Sequence, residues 1–234
     1  MPPHMKLSLL LVIAAVTPLL AQGPAVPLRE IAGHRTVLGA QVSARPNSIP
    51  ARYIYEAGRD WLRQPYRLAV LLVEFNGTQH VSAHTAALYD ELLFSCDKYH
   101  KTPGGEVSFG SVADWYRAQS QGRFELTGKV FDWVTVAETF EVVHSLKLKA
   151  AQERYLKVAL ANVRARDGAH ALDDFDGYVF IHVAPITGPS GNIFWSHRAS
   201  VEGKRYITSG EIERIGVFCH EFGHTLGLPD FYAK

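Results

Sequence analysis

The sequence runs HEFGHTLGLPD from His220 to Asp230. Two histidines four apart on a helix project from one face about one turn apart, so His220 and His224 can each present a ring nitrogen to a single ion. The pattern points to zinc. Glu221 is rotated by about 100° from His220 around the helix axis, which favours contact with a water held by the ion over contact with the ion itself. Glu221 is therefore the candidate general base. A catalytic zinc ordinarily takes three protein ligands and leaves one position for water. Gly227 followed by Leu228-Pro229 reads as a helix stop and a chain reversal, since glycine accepts the left-handed C-cap and proline cannot continue the ladder. Such a reversal can swing Asp230 back under the two imidazoles, which makes it a candidate third ligand. An aspartate after proline is also an ordinary turn residue or N-cap.

The elements that must position these groups can be read upstream. RLAVLLVEF at 67–75 is a nearly continuous apolar run, as expected of a strand buried on both faces, and Tyr178 to Val183 reads as a second. Residues 84–95 and Ser111 to Gln119 carry helical spacing, the latter with Trp115 and Tyr116 on its packed side and Gly122 closing it. Phe124 to Val136 alternates well enough for one or two strands. Ser145 to Arg166 predicts the longest helix, with Leu148, Ala151, Tyr155, Ala159 and Val163 as its core stripe. Tyr206 to Thr208 reads as a short strand, and a terminal helix starts near Glu213. Gly223 inside that helix costs about 1 kcal/mol relative to alanine, which predicts another backbone passing close by. Ile193 to Trp195 is the candidate sheet edge on which an extended peptide adds as a strand. His197 is left out of the ligand set, because an isolated histidine after a strand is more often a structural hydrogen-bonding residue.

Composition frames this chemistry. At 234 residues, 47% hydrophobic and with net charge +1, the chain has the length for one sizeable core. No charge asymmetry points to nucleic acid. Lys6 precedes LSLLLVIAAVTPLLA, an apolar run broken by Pro18 and closed by Ala21, so residues 1–21 read as a secretory signal and the mature chain as extracellular. Met5 is an alternative start. An uncleaved anchor is the competing reading, although the run is short for a span. Residues 22–65, rich in proline and arginine, read as a leader, a linker or a propeptide segment. Cys96 and Cys219 permit one disulfide by number alone, but Cys219 reads as a small buried filler. Cys96 is not read as a zinc ligand, because the export signal argues against a cytosolic HExxH enzyme that would use one. Asp173, Asp174 and Asp176 precede a glycine and read best as a solvated turn; calcium is the alternative, although their spacing falls short of a complete calcium loop.

HExxHxxGxxD is similar to the signature of metzincin-like peptidases with an aspartate third ligand, and HEFGHTLGLPDFY resembles that of the immune inhibitor A family of secreted bacterial metallopeptidases. Residues 111–136, 173–185 and WSHR at 195–198 resemble further landmarks in the family's order, so the likeness spans roughly residues 66–234. The resemblance implies His220, His224 and Asp230 as zinc ligands and Glu221 as catalytic base. The fold it implies is α+β: a zincin-like upper subdomain at 66–234, with a mixed twisted sheet, backing helices and a C-terminal active-site helix. The implied activity is that of a secreted zinc endopeptidase acting on peptide or protein substrates, with no stable membrane association after signal cleavage. By the same resemblance, family members continue past PDxYD into a lower subdomain with a methionine turn. This sequence stops at Lys234 and has Ala233 where they usually have aspartate, so a fragment or truncated gene product is expected. A secreted peptide-binding protein that keeps the scaffold without catalysis is the alternative function.

Overall fold

The computed structural model describes residues 36–37, 40–41, 65–183, 192–211 and 214–228. The expected signal at 1–21 lies outside the described residues. Of the expected leader, Thr36–Val37 pairs antiparallel with Ala40–Gln41, and the rest up to residue 64 is likewise outside them. No described helix is long and apolar enough to cross a membrane.

Five strands form one mixed sheet. They are β1 (Tyr66–Phe75), β2 (Leu126–Val136), β3 (Gly177–His182), β4 (His197–Val201) and β5 (Lys204–Gly210), in spatial order β2-β1-β3-β5-β4. All neighbouring pairs are parallel except β4 with β5, which places an antiparallel strand at one edge. As the unbroken apolar run predicts, β1 lies inside the sheet, and Leu68 to Val73 are buried at 3% exposure or less. Successive side chains go to opposite faces, which splits the core into two layers. Ala69, Leu71 and Val73 meet Tyr155, Ala159 and Val163 on one side. Val70 and Leu72 meet Tyr89, Tyr116, Phe218 and Phe222 on the other. The result is the expected α+β arrangement, with helices covering both faces.

Helices α1 (Ala86–Phe94) and α2 (Val112–Gln119) start at side-chain caps from Thr85 and Ser111, and Asp114 completes a capping box with Ser111. Gly122 ends the α2 region at φ 76°, its N–H bonded to the Arg117 carbonyl. The helix expected from Ser145 instead divides. A short α3 (Phe140–His144) precedes α4 (Leu148–Ala151), which runs through a π-helical turn at Gln152–Leu156 into α5 (Lys157–Asp167). The predicted stripe of Ala151, Tyr155, Ala159 and Val163 is fully buried across that irregularity, with Leu148 packed at its margin.

The expected edge at Ile193 to Trp195 needs correction. Ile193 and Phe194 are fully buried in the core, Phe194 lying against Phe75, Tyr155 and His182, so their backbone belongs to an anchoring turn. The edge strand follows them, at His197–Val201. Burial of two large apolar side chains outweighs any tendency of this segment to extend as an exposed strand.

His182 ends β3 facing the same aromatic layer. It is fully buried, and among the described residues neither ring nitrogen has a hydrogen-bond partner. Burial, assisted by His197, lowers its pKa from 6.5 to about 3. The unfolded chain takes up this proton near pH 6.5 while the folded chain resists it, so stability falls as pH drops through that window. The expected loss between pH 7 and pH 4 is roughly 3 kcal/mol. Denaturant unfolding at the two pH values should show that loss in the parent and a much smaller one in His182→Phe. Equal losses in both proteins would exclude this histidine as the source.

Candidate metal and catalytic site

Helix α6 (Ile215–Thr225) carries the HEFGH segment, and its seat on the sheet explains which way that segment points. Phe218, Cys219 and Phe222 are buried against Ile207, Val179 and Ile181. On the α2 flank, the Tyr116 hydroxyl donates to the Cys219 carbonyl at 2.6 Å, and the Phe222 ring meets Tyr116 edge-on at 5.1 Å. With Phe218 and Phe222 toward the sheet, helical geometry turns His220 and His224 to the opposite side.

The two rings converge. Their Nε2 atoms lie 3.1 Å apart. Ligands about 2.0–2.1 Å from a tetrahedral zinc stand roughly 3.3 Å from one another, so the spacing suits two ligands of one ion. His224 is also oriented from behind: its Nδ1 donates to the Leu228 carbonyl at 2.7 Å, which leaves a lone pair on Nε2. That carbonyl is available because the helix stops as predicted. Gly227, at φ 92°, donates to the His224 carbonyl at 2.9 Å, and Leu228 donates to the Gly223 carbonyl at 3.0 Å, the paired bonds of a Schellman cap. Thus the glycine that ends the helix also positions the carbonyl that fixes a histidine tautomer.

Gly223 does mark a close approach, but its neighbours are side chains and not the backbone that the sequence suggests. A Cβ there would lie 3.3 Å from the Tyr116 hydroxyl and 3.6 Å from Leu228 Cδ1. Glu221 is only 8% exposed. It lies about 200° around the helix from Gly223, hence on the flank away from α2 and toward the β5–β4 edge across which α6 packs. Asp230 lies outside the described residues, so the structure brings together His220 and His224, with Glu221 between them in sequence.

The remaining candidates separate from this centre. Among the described residues, Cys96 does not group with the histidines: its neighbours are Asp97 and Asp114, and Arg117 donates to the Cys96 sulfur at 2.6 Å and to Asp114 at 2.7 Å. Both cysteines are free thiols, Cys219 buried as expected. The alternative calcium reading finds no support. Asp176 accepts the Arg67 N–H at 2.7 Å, Asp173 pairs with His170 at 2.7 Å, and the Lys204 ammonium takes the Leu172 and Asp173 carbonyls at 2.8 and 3.0 Å. A lysine thus already serves oxygens that a cation would need. His197 is a structural hydrogen-bonding residue, held at 2.6 Å from the Trp195 carbonyl and 3.1 Å from the Tyr206 hydroxyl, with its pKa lowered by burial. Two contributors escaped the sequence reading: Tyr116 as the brace of α6, and Arg205, whose guanidinium donates to the Thr225 carbonyl at the helix end. Neither carries a local signal, because each acts across distant segments.

The family model of the immune inhibitor A peptidase M6 catalytic domain matches residues 71–147 and 161–234, more than half of the chain. The chain belongs to this family. Membership identifies it as a metallopeptidase catalytic domain, and the converging imidazoles lie within the matched span. No curated protein matches the chain.

Proposed function

We propose that this protein is a secreted zinc-dependent endopeptidase in which His220, His224 and Asp230 hold the ion and Glu221 is the proton carrier. The observation that supports this most directly is the 3.1 Å approach of the two Nε2 atoms, with His224 oriented by the Leu228 carbonyl. Two neutral imidazoles and a carboxylate form a donor set suited to zinc, and Asp230 stands two residues beyond that carbonyl in sequence. When bound, zinc would supply Lewis acidity to the attacking water and to the scissile carbonyl. Glu221 accepts the proton of that water and returns it to the leaving amine nitrogen. Strand β4, last in the order of the described strands, receives the substrate in extended form through its backbone groups. Export rests on the signal pattern at residues 1–21.

The test combines metal analysis with cleavage. Protein dialysed after zinc loading should retain about one zinc per chain and cleave casein; a chelator should stop cleavage and zinc should restore it. Cleavage that survives removal of all metal would overturn the proposal.

A further inference from the structure

We propose that Arg198 selects an acidic side chain in the bound peptide, making this site prefer substrates with Asp or Glu at the position that pairs with it. The inference rests on the peptidase reading above for its substrate, and on strand geometry for the rest. His197 turns to one face of the sheet, where it meets Tyr206 and Thr208. The next residue must face the other way. Arg198 pairs in register with Ile207, and Ile207 packs with Phe218, Cys219 and Phe222 of α6. The guanidinium therefore stands on the face that carries the candidate site, on the last of the described strands and on the Glu221 flank of the helix.

Arg198 is exposed and makes no ion pair among the described residues. Along β4 and β5, this face presents Arg198, Ser200, Arg205, Ile207 and Ser209: two cations and no carboxylate. The whole chain has net charge of only +1, so the positive character is local to this edge. A peptide added along β4 places every second side chain on this face, and the one opposite Arg198 lies within reach of its planar fork, which takes a carboxylate in two parallel hydrogen bonds.

A series of fluorogenic peptides with Glu or Gln scanned through each position tests this. Cleavage is read on the parent, and binding by fluorescence anisotropy on the Glu221→Gln chain. One position should favour Glu over Gln by roughly three- to fivefold, the scale of an opposite-charge cross-strand pair. The ratio should fall toward one in Arg198→Gln and invert to favour Gln over Glu in Arg198→Glu, whereas Arg123→Gln, remote in sequence and exposed, should keep the parental ratio. Cleavage with no acidic preference at any position, or a preference unchanged in Arg198→Gln, overturns the inference and leaves the peptidase reading standing. Acidic preference in binding without cleavage sustains the inference and removes the peptidase reading. Failure to bind any peptide overturns both.

Discussion

Replacing Glu221 by glutamine is expected to lower the rate of peptide cleavage by about 10²- to 10⁴-fold, the range that a positioned proton carrier contributes. Zinc content should stay at the parental level, because the change removes a proton acceptor and leaves both imidazoles in place. Glutamine keeps the size of the side chain, so a site that is only 8% exposed is not opened by the exchange. The helix should also survive, since it is held by Phe218, Phe222 and the Tyr116 hydroxyl. Turnover of casein and metal content measured on the same preparation check both halves. A glutamine variant with parental turnover would remove Glu221 from the chemistry, whereas loss of zinc would give it a structural role instead.

The largest expected change in stability comes from Gly128→Ala in β2. Gly128 sits opposite Leu68 in the parallel ladder, and a Cβ there would collide with the Leu68 carbonyl oxygen and with the Phe94 ring, whose Cε2 would be 2.8 Å away. The carbonyl belongs to the buried strand β1 and cannot turn aside without breaking the ladder. Strain of this kind should destabilise the fold by about 3 kcal/mol, lowering Tm by roughly 10 °C. Gly104→Ala is the matched control: its Cβ would find only Thr102 Oγ1 at 3.8 Å, and its stability should change by less than about 0.5 kcal/mol. Thermal unfolding of the two variants side by side decides the matter, and equal Tm values would mean that β2 and β1 do not approach as closely as described.

The features that were readable from sequence share one property: they are set within a few residues. The run Leu68 to Val73 announces a doubly covered strand, Ser111 and Gly122 bracket α2, and Gly227 marks the end of α6. What escaped depends on competition between segments. Ile193 and Phe194 look as much like a strand as β4 does, and only the aromatic layer around Phe75 and Tyr155 decides that they are buried anchors. β4 itself, HRASV, alternates half-buried and exposed positions and shows little apolar pattern before its pairing with β5 is known. The π-helical turn at Gln152–Leu156 is likewise silent, since the buried stripe continues through it.

By itself the sequence determined the spacing of the two candidate ligands, because two histidines four apart share a helix face through backbone geometry alone. It also determined where that helix stops, because Gly227 permits a positive φ that other residues resist. The tertiary structure decided which way the face looks, how deeply Glu221 is buried, which described strand lies last in the sheet beside α6, and that Arg198 stands on the sheet face that α6 covers. Those depend on Tyr116 meeting Cys219 across 103 residues and on the register of β4 with β5, and no local periodicity encodes a contact between segments so far apart.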